Sequence, residues 1–163
     1  MNTKIKSPCR YAILVASMCF VAHVAQASTE VVGTCKSGKS FTTIQAAVNA
    51  APSGSTIEIC PGTYPEQVMI VGKTLTLTGV LSGTSNAAVL VPPSGGLTAN
   101  GSHIGGGAVA AQIFVQSSTG VTISHLTVDG IGNALLGCGT DPIGIYYQNS
   151  SGRISDSVAR VKS

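Results

Sequence analysis

The chain has 163 residues, of which 44% are hydrophobic and only 9% are charged, and its formal net charge is +3. Lys4, Lys6 and Arg10 carry that excess, because the residues from 28 onward hold six basic and six acidic side chains. A neutral, Trp-free chain without a Lys/Arg stripe lacks the electrostatic signature of a nucleic-acid-binding protein, so we expect no nucleic-acid partner.

Residues 1–27 have the pattern of a secretory signal peptide. A basic start is followed by an apolar run from Ala12 to Val24 and by the A-x-A cleavage site Ala25-Gln26-Ala27. The apolar run is shorter than the roughly 20 residues that span a bilayer, which disfavours the alternative of an uncleaved anchor. The sequence therefore predicts a secreted or periplasmic domain of residues 28–163 that has no membrane span after cleavage.

Three cysteines fall in this domain, where disulfides can form. Cys35 precedes a predicted helix and Cys60 ends a predicted strand, so a bridge between them would close a loop around the first turn of the fold. We predict the Cys35–Cys60 disulfide, which leaves Cys138 without a partner in this chain. The cysteine spacings fit no structural zinc pattern, so no metal site is predicted from them.

The first element after the cysteine is a predicted helix over about residues 43–51. Thr42-Thr43-Ile44-Gln45 matches a capping box, and apolar residues follow at the spacing of one helix face. Pro52 and Gly54 end it. A short helix with a narrow apolar face suits a lid on the end of a stack of strands.

Short strands with alternating side chains follow the helix, and they are too closely spaced for a helix-covered sheet. The alternating apolar pairs are Ile57 and Ile59, Val68 and Ile70, and Leu75 and Leu77, with turns at Pro61, Gly62, Pro65 and Gly72. Period-2 alternation between Pro/Gly turns predicts strands. Their rhythm indicates a solenoid, with coils over about residues 55–163.

An internal repeat supports this interpretation. Residues 112–120 align with residues 144–152, and the strands that follow, 121–124 and 153–155, repeat at a spacing that is shorter by one position. A repeat of this length is typical of stacked supersecondary units. The Gly-rich stretch 92–107 is predicted to be a surface excursion rather than core, and a second excursion runs from Ile131 to Pro142.

In these elements the chain resembles the right-handed parallel β-helix proteins of the pectin lyase-like superfamily over about residues 40–159. Residues 41–68 are similar to the start of pectinesterases, and Gly62-Thr63-Tyr64-Pro65-Glu66 matches their G-x-Y-x-E element. The resemblance implies an all-β fold, a right-handed parallel β-helix solenoid with an N-terminal capping α-helix. Because the sequence ends directly after a predicted strand, we expect truncation at the C-terminus and self-association through an open last coil.

The resemblance also bears on activity. The pectinesterase motifs QDTL, DFIFG and LGRPW are absent, as are the polygalacturonase motifs and the R-x-x-R pattern of pectate lyases. We therefore expect a secreted, carbohydrate-associated β-helix repeat protein without complete catalytic machinery, with polysaccharide as its partner. The alternative is the N-terminal part of a polysaccharide-degrading enzyme, of pectinesterase, pectate lyase or hydrolase type.

A few residues in the repeat region are candidates for a site. Asp129 and Asp141 bracket the second excursion, where two carboxylates can bind Ca²⁺ or share acid/base work on a sugar, but both also stand in ordinary turn dipeptides. Tyr146 and Tyr147 are adjacent on a strand, so one should face the core and the other can stack on a sugar ring. His125 alternates with Ile123, which predicts an inward, structural histidine.

Overall fold

The computed structural model describes residues 26–131 and 139–160. In those residues the chain forms one helix, α1, which spans Ile44–Ala50 and so lies inside the predicted range. The strands, in chain order, are β1 (Thr29–Val32), β2 (Ser40–Phe41), β3 (Thr56–Ile59), β4 (Gly62–Pro65), β5 (Val68–Val71), β6 (Thr76–Gly79), β7 (Leu81–Ser82), β8 (Ser85–Asn86), β9 (Ala88–Val91), β10 (Gly101–Ser102), β11 (Ala108–Gln116), β12 (Val121–Ser124), β13 (Leu126–Asp129), β14 (Thr140–Gln148), β15 (Gly152–Ser155) and β16 (Val158–Arg160).

Apart from the β7–β8 hairpin, the described strands form three sheets that the chain visits in turn. Sheet 1 has the order β15-β12-β6-β3-β1-β2, sheet 2 the order β16-β13-β9-β4, and in sheet 3 β11 lies between β5 and β14. Each round of the chain runs from sheet 1 to sheet 2 to sheet 3, and strands of successive rounds pair in parallel. Three rounds are complete, from β3 to β5, β6 to β11 and β12 to β14, and β15 and β16 begin a fourth. The chain is therefore a parallel β-helix, as the sequence predicted.

Inward side chains stack in ladders along the helix axis and form the core. One ladder in sheet 1 consists of Ile57, Leu77, Ile123 and Ile154, joined by the strand register. The first three are fully buried, and so are all the apolar residues of the predicted alternating pairs, with at most 1% of Leu75 exposed. The alternation in the sequence thus identified the core correctly, because each of these strands buries one face.

The strand register confirms the internal repeat. Ile113 pairs with Ile145 in sheet 3, and Ile123 pairs with Ile154 in sheet 1, where the offset between partners is shorter by one position. The residue that is missing from the second copy belongs to the corner from sheet 3 to sheet 1. This corner spans residues 117–120 before β12 and residues 149–151 before β15. Each corner begins with a left-handed residue, at φ 64° for Gly72, 50° for Ser117 and 49° for Asn149. Glycine and asparagine adopt this conformation at little cost, which explains Gly72 and Asn149 at these corners.

Charged side chains of the first round hold both ends of α1. The Glu66 carboxylate accepts hydrogen bonds from the backbone amides of Ile44 and Gln45, at 2.9 and 3.0 Å. At the other end the Lys73 ammonium donates to three carbonyl oxygens, those of Val48 and Asn49 in the last turn and of Ala51, which caps the helix. A negative group at the start and a positive group at the end of a helix both interact favourably with its dipole.

The predicted capping box is wrong in detail. The residue that caps the helix is Thr43, whose side-chain oxygen accepts from the Ala46 amide at 3.2 Å. The Gln45 side chain does not fold back on the helix start; it donates to the Met69 carbonyl and accepts from the Met69 amide. Because Glu66 already satisfies the first helix amides, Gln45 is free to complete the exposed hydrogen-bonding edge of β5.

The Cys35–Cys60 disulfide is present and confirms the prediction. It ties the segment between β1 and β2 to the end of β3, beside Tyr64, whose hydroxyl donates to the Cys60 carbonyl oxygen at 2.8 Å. Burial, and then the nearby Glu66 carboxylate, raise the pKa of Tyr64 above its ordinary value of 10.0. The G-x-Y-x-E element therefore builds the first round, through the Tyr64 hydroxyl and the Glu66 cap. Cys138 lies outside the described residues.

The last described strands leave apolar residues open to solvent. Ile154 ends the sheet 1 ladder and is 48% exposed, whereas its register partner Ile123 is fully buried. Val158 on β16 is 46% exposed. Self-association through this open end, which the sequence suggested, stays a prediction.

Candidate functional site

The outer face of sheet 3 carries a pair of aromatic rings. Phe114 of β11 and Tyr146 of β14 are register partners that point away from the core, and their rings stack with centroids 5.9 Å apart and planes at 16°. Phe114 is nevertheless fully buried, in a second apolar cluster with Val109 and Ala111. An outward-facing residue can be buried in this way only because another segment of the chain covers it.

The covering segment is the excursion 92–107, which lies mostly at the surface, as predicted, and also packs against sheet 3. Its strand β10 pairs antiparallel with the start of β11. The Asn100 side chain pairs with the backbone of β11 as a neighbouring strand would. Its amide donates to the Ala111 carbonyl oxygen and its oxygen accepts from the Ala111 amide, both at 2.9 Å. Gly101 is packed so closely that a Cβ there would lie 3.0 Å from the Phe114 ring. The excursion thus forms a fixed wall of this face.

A histidine of the excursion reaches the sheet. His103 Nε2 lies 2.8 Å from Asp141 Oδ2, and both side chains are open to solvent, at 39% and 69% exposure. A neutral imidazole that donates from Nε2 to a carboxylate keeps Nδ1 as an acceptor, which is the arrangement in which a carboxylate orients a histidine for proton transfer. The His103 ring centroid is also 6.3 Å from that of Tyr146.

Polar contacts fix the tyrosine of this cluster. The Tyr146 hydroxyl donates to the Ser102 carbonyl oxygen at 3.0 Å, and the Gln148 amide donates to the same oxygen at 2.9 Å. Ser102, His103, Asp141, Tyr146 and Gln148 thus form one surface, the sheet 3 site, between the excursion and β14. It presents an aromatic ring, an imidazole, a carboxylate and an amide, the groups that usually contact a polar ligand such as a sugar.

The two adjacent tyrosines divide as predicted. Tyr147 faces the interior, where its ring packs on the core and its hydroxyl donates to the Val121 carbonyl oxygen at 3.1 Å. Burial raises the pKa of Tyr147 above its ordinary value of 10.0. Tyr146 is therefore the outward residue, and its role as a sugar-stacking ring stays a prediction.

The two aspartates that the sequence analysis grouped have separate partners. Asp129 accepts from the Ile131 amide at 3.0 Å, which is the turn role of an Asp-Gly pair, and from the Arg160 guanidinium at 2.8 Å. Asp141 bonds to His103 instead. Residues 132–138 of the second excursion lie outside the described residues. Among the residues that the structure does describe, no group of three or more His, Cys, Asp or Glu side chains is placed to hold a metal ion, and Ca²⁺ stays a prediction.

The predicted orientation of His125 is wrong. The strand breaks at this residue, which is a left-handed corner at φ 55° between β12 and β13. The alternation from Ile123 therefore stops one residue earlier, and His125 lies at the surface, half-buried. The sequence does not predict the contact of His103 with Asp141. His103 lies in a Gly-rich segment 38 residues before Asp141, and no local pattern indicates that the two side chains meet.

The comparisons with known proteins concern the fold. No protein-family model matches the chain, and no curated protein matches it in sequence. Among solved structures, pectin methylesterase PemA from Erwinia chrysanthemi is 21% identical, with a TM-score of 0.57 over 86% of this chain and 46% of that one. The fold is the right-handed parallel β-helix.

Two structures of pectin methylesterase with bound hexasaccharides give the same result. One, a point mutant, is 22% identical with a TM-score of 0.56 and covers 83% of this chain and 43% of its own. The other is 21% identical with a TM-score of 0.56 and covers 86% and 46%. This chain thus spans less than half the length of these solved proteins. No helix within residues 26–131 and 139–160 has the length and hydrophobicity to cross a membrane.

Proposed function

We propose that this protein is a secreted, carbohydrate-associated β-helix protein that binds a polysaccharide on the outer face of sheet 3. The observation that carries the proposal is the Phe114–Tyr146 stack beside the His103–Asp141 pair on one open surface. A flat aromatic ring flanked by donors and acceptors suits a sugar ring, whose C–H face is apolar and whose edges carry hydroxyls. The pectin methylesterases of the same fold, solved with hexasaccharides, support a polysaccharide as the ligand class.

The site supports binding better than complete catalysis. Hydrolysis of a sugar polymer by paired carboxylates needs both groups at one substrate position. Here Asp141 is bonded to His103 on sheet 3, while Asp129 is bonded to Arg160 at the end of sheet 2. These separate partners favour a protein that holds a polysaccharide over one that cleaves it.

The binding test uses polygalacturonate, pectin and alginate in affinity electrophoresis and calorimetry. Tyr146→Ala should weaken binding about threefold to tenfold, the effect of losing one aromatic contact. Tyr146→Phe keeps the ring and should bind nearly as well as the original. Tyr147→Phe is the matched control, because its hydroxyl faces the interior. Equal binding by Tyr146→Ala and the original protein would contradict the proposal.

A second function, an enzyme acting on such a polysaccharide, is favoured by one observation. His103 Nε2 donates to the Asp141 carboxylate at 2.8 Å, and in the neutral imidazole this leaves Nδ1 as an acceptor, as a general base requires. Turnover would appear as methanol release from pectin or as absorbance of unsaturated products. His103→Gln and Asp141→Asn should then abolish it, and Asp129→Asn should not. Activity in the original protein that both sheet 3 variants lose would replace the non-catalytic proposal.

A further inference from the structure

A groove lies on a different side of the solenoid, at the corner where the chain passes from sheet 1 to sheet 2. In the third and fourth rounds this corner takes a single left-handed residue, His125 at φ 55° and Asp156 at φ 49°. In the second round residues 80–87 are inserted there and form the β7–β8 hairpin. The hairpin and the outer face of sheet 2 border an open groove of about 490 Å³, a volume within the usual range for small-ligand sites.

A hydrogen bond fixes the hairpin in this position. The Asn86 side-chain amide donates to the Asp156 backbone carbonyl oxygen at 2.6 Å, across 70 residues of sequence. The hairpin therefore reaches from the second round past His125 to the fourth. Thr127 lines the groove. Its side chain points outward between two core residues, yet it is only 7% exposed. The groove is thus bordered by a hairpin that this contact ties to the fourth round.

The side chains that line the groove have hydrogen-bonding capacity left over. His125 and Asp156 occupy equivalent corner positions in adjacent rounds, so their backbones are about one strand spacing of ~4.8 Å apart. Within the part of the chain that the structure describes, neither side chain forms a hydrogen bond or ion pair. The hydroxyls of Thr84, Ser85 and Thr127 add groups that both donate and accept.

The composition of the lining limits the class of ligand. Among the described lining residues, Asp156 is the only acid and there is no Lys or Arg, so an anionic ligand would meet a carboxylate without a compensating cation. Two aliphatic side chains, Leu81 at 41% and Val158 at 46% exposure, border the polar groups. An uncharged sugar matches this lining, because its surface also combines hydroxyls with aliphatic C–H groups.

We propose that the groove between the β7–β8 hairpin and sheet 2 binds an uncharged saccharide through His125, Asp156 and Asn86. The groove is separate from the sheet 3 site and does not depend on it. Each can therefore fail without the other. Two sites on two sides of one solenoid would let the protein contact two sugar chains.

The test follows backbone amide signals by NMR while cellotriose, galactotriose or trigalacturonate is added to the full chain. The neutral trisaccharides should cause saturable shifts at residues 85–87 and 125–127. His125→Asn keeps the left-handed corner, because asparagine tolerates that conformation, and should weaken binding about threefold to tenfold. Thr127→Val, which keeps the shape of the groove wall, should weaken binding to a smaller extent.

Asn149→Asp is the matched control, because it changes a left-handed corner residue at another corner of the solenoid. It should leave the affinity for neutral trisaccharides unchanged. The proposal is overturned if neutral trisaccharides cause no saturable shifts in the groove at millimolar concentration. It is equally overturned if trigalacturonate binds there as tightly, or if Asn149→Asp weakens binding as much as His125→Asn. Shifts confined to residues 114 and 146 would support the sheet 3 site and refute the groove.

Discussion

The two ends of the described solenoid are covered to different degrees. At the N-terminal end, α1 covers the interior, Gln45 completes the edge of β5, and the Cys35–Cys60 disulfide fastens the first round. At the other end of the described structure, β15 and β16 leave Ile154 and Val158 about half exposed. A stack of parallel strands has no intrinsic end, so each end needs covering groups that the repeat itself does not supply.

The largest expected difference between the ends comes from two isoleucines of one ladder. Ile123→Ala should lower the free energy of unfolding by about 2–5 kcal/mol, because it leaves a cavity in a closed core. Ile154→Ala, at the equivalent position one round later, should cost less than about 1 kcal/mol, because its side chain is already half exposed. Urea unfolding followed by circular dichroism measures both values. Equal losses would mean that the last round is as well covered as the middle.

A smaller effect is expected at the N-terminal end. Glu66→Gln should destabilise the protein by about 1–2 kcal/mol, because the helix amides of Ile44 and Gln45 lose a charged acceptor. Glu58→Gln is the control; Glu58 pairs with Lys36 on the surface, where an ion pair contributes about 0–1 kcal/mol. Thermal unfolding compares the two. A control that loses as much as Glu66→Gln would show that Glu66 does not act through the helix.

The smallest expected effect is on the pH dependence of stability, and it involves one tyrosine near each end, Tyr64 and Tyr147. The pKa values of Tyr64 and Tyr147 are raised in the folded protein, so above pH 10.0 the unfolded chain loses these protons while the folded chain retains them. Stability from this source is complete below that pH and falls as the pH rises. Tyr64→Phe and Tyr147→Phe should each make unfolding less sensitive to pH between about pH 8 and about pH 11.

Chemical denaturation at the two pH values measures the change for each tyrosine. Either substitution that leaves the pH dependence as in the original protein would show that the corresponding hydroxyl is not protected by burial. The two changes are expected to have the same sign, since burial raises the pKa of each tyrosine.

Much of the fold followed from the sequence, and for a local reason. Alternation with period 2 between Pro/Gly turns identifies the inward residues of the first round, and the spacing of the internal repeat matches the register of the later rounds. The disulfide followed as well, because a loop of 25 residues fits one round of the chain. These features depend on neighbours in sequence or on a fixed repeat.

The candidate sites were predicted far less well. The sequence indicates Asp141 and one of the pair Tyr146 and Tyr147, but it does not indicate His103. It also suggests grouping Asp129 with Asp141, although the two carboxylates bind different partners. The inward orientation predicted for His125 assumed that the alternation of β12 continues past Ser124, whereas the strand ends there at a corner. A single left-handed residue reverses the side-chain direction there, and only the fold shows where such a corner falls.

The sequence by itself therefore determined that the chain would coil, which side chains would fill the interior and where the disulfide would form, since period and spacing are properties of a chain. The tertiary structure decided which distant segments meet. It placed Glu66 and Lys73 at the two ends of α1, the excursion over Phe114, His103 against Asp141, and the β7–β8 hairpin over His125. Those contacts depend on how inserted segments fold back on the stack, and no local pattern encodes that direction.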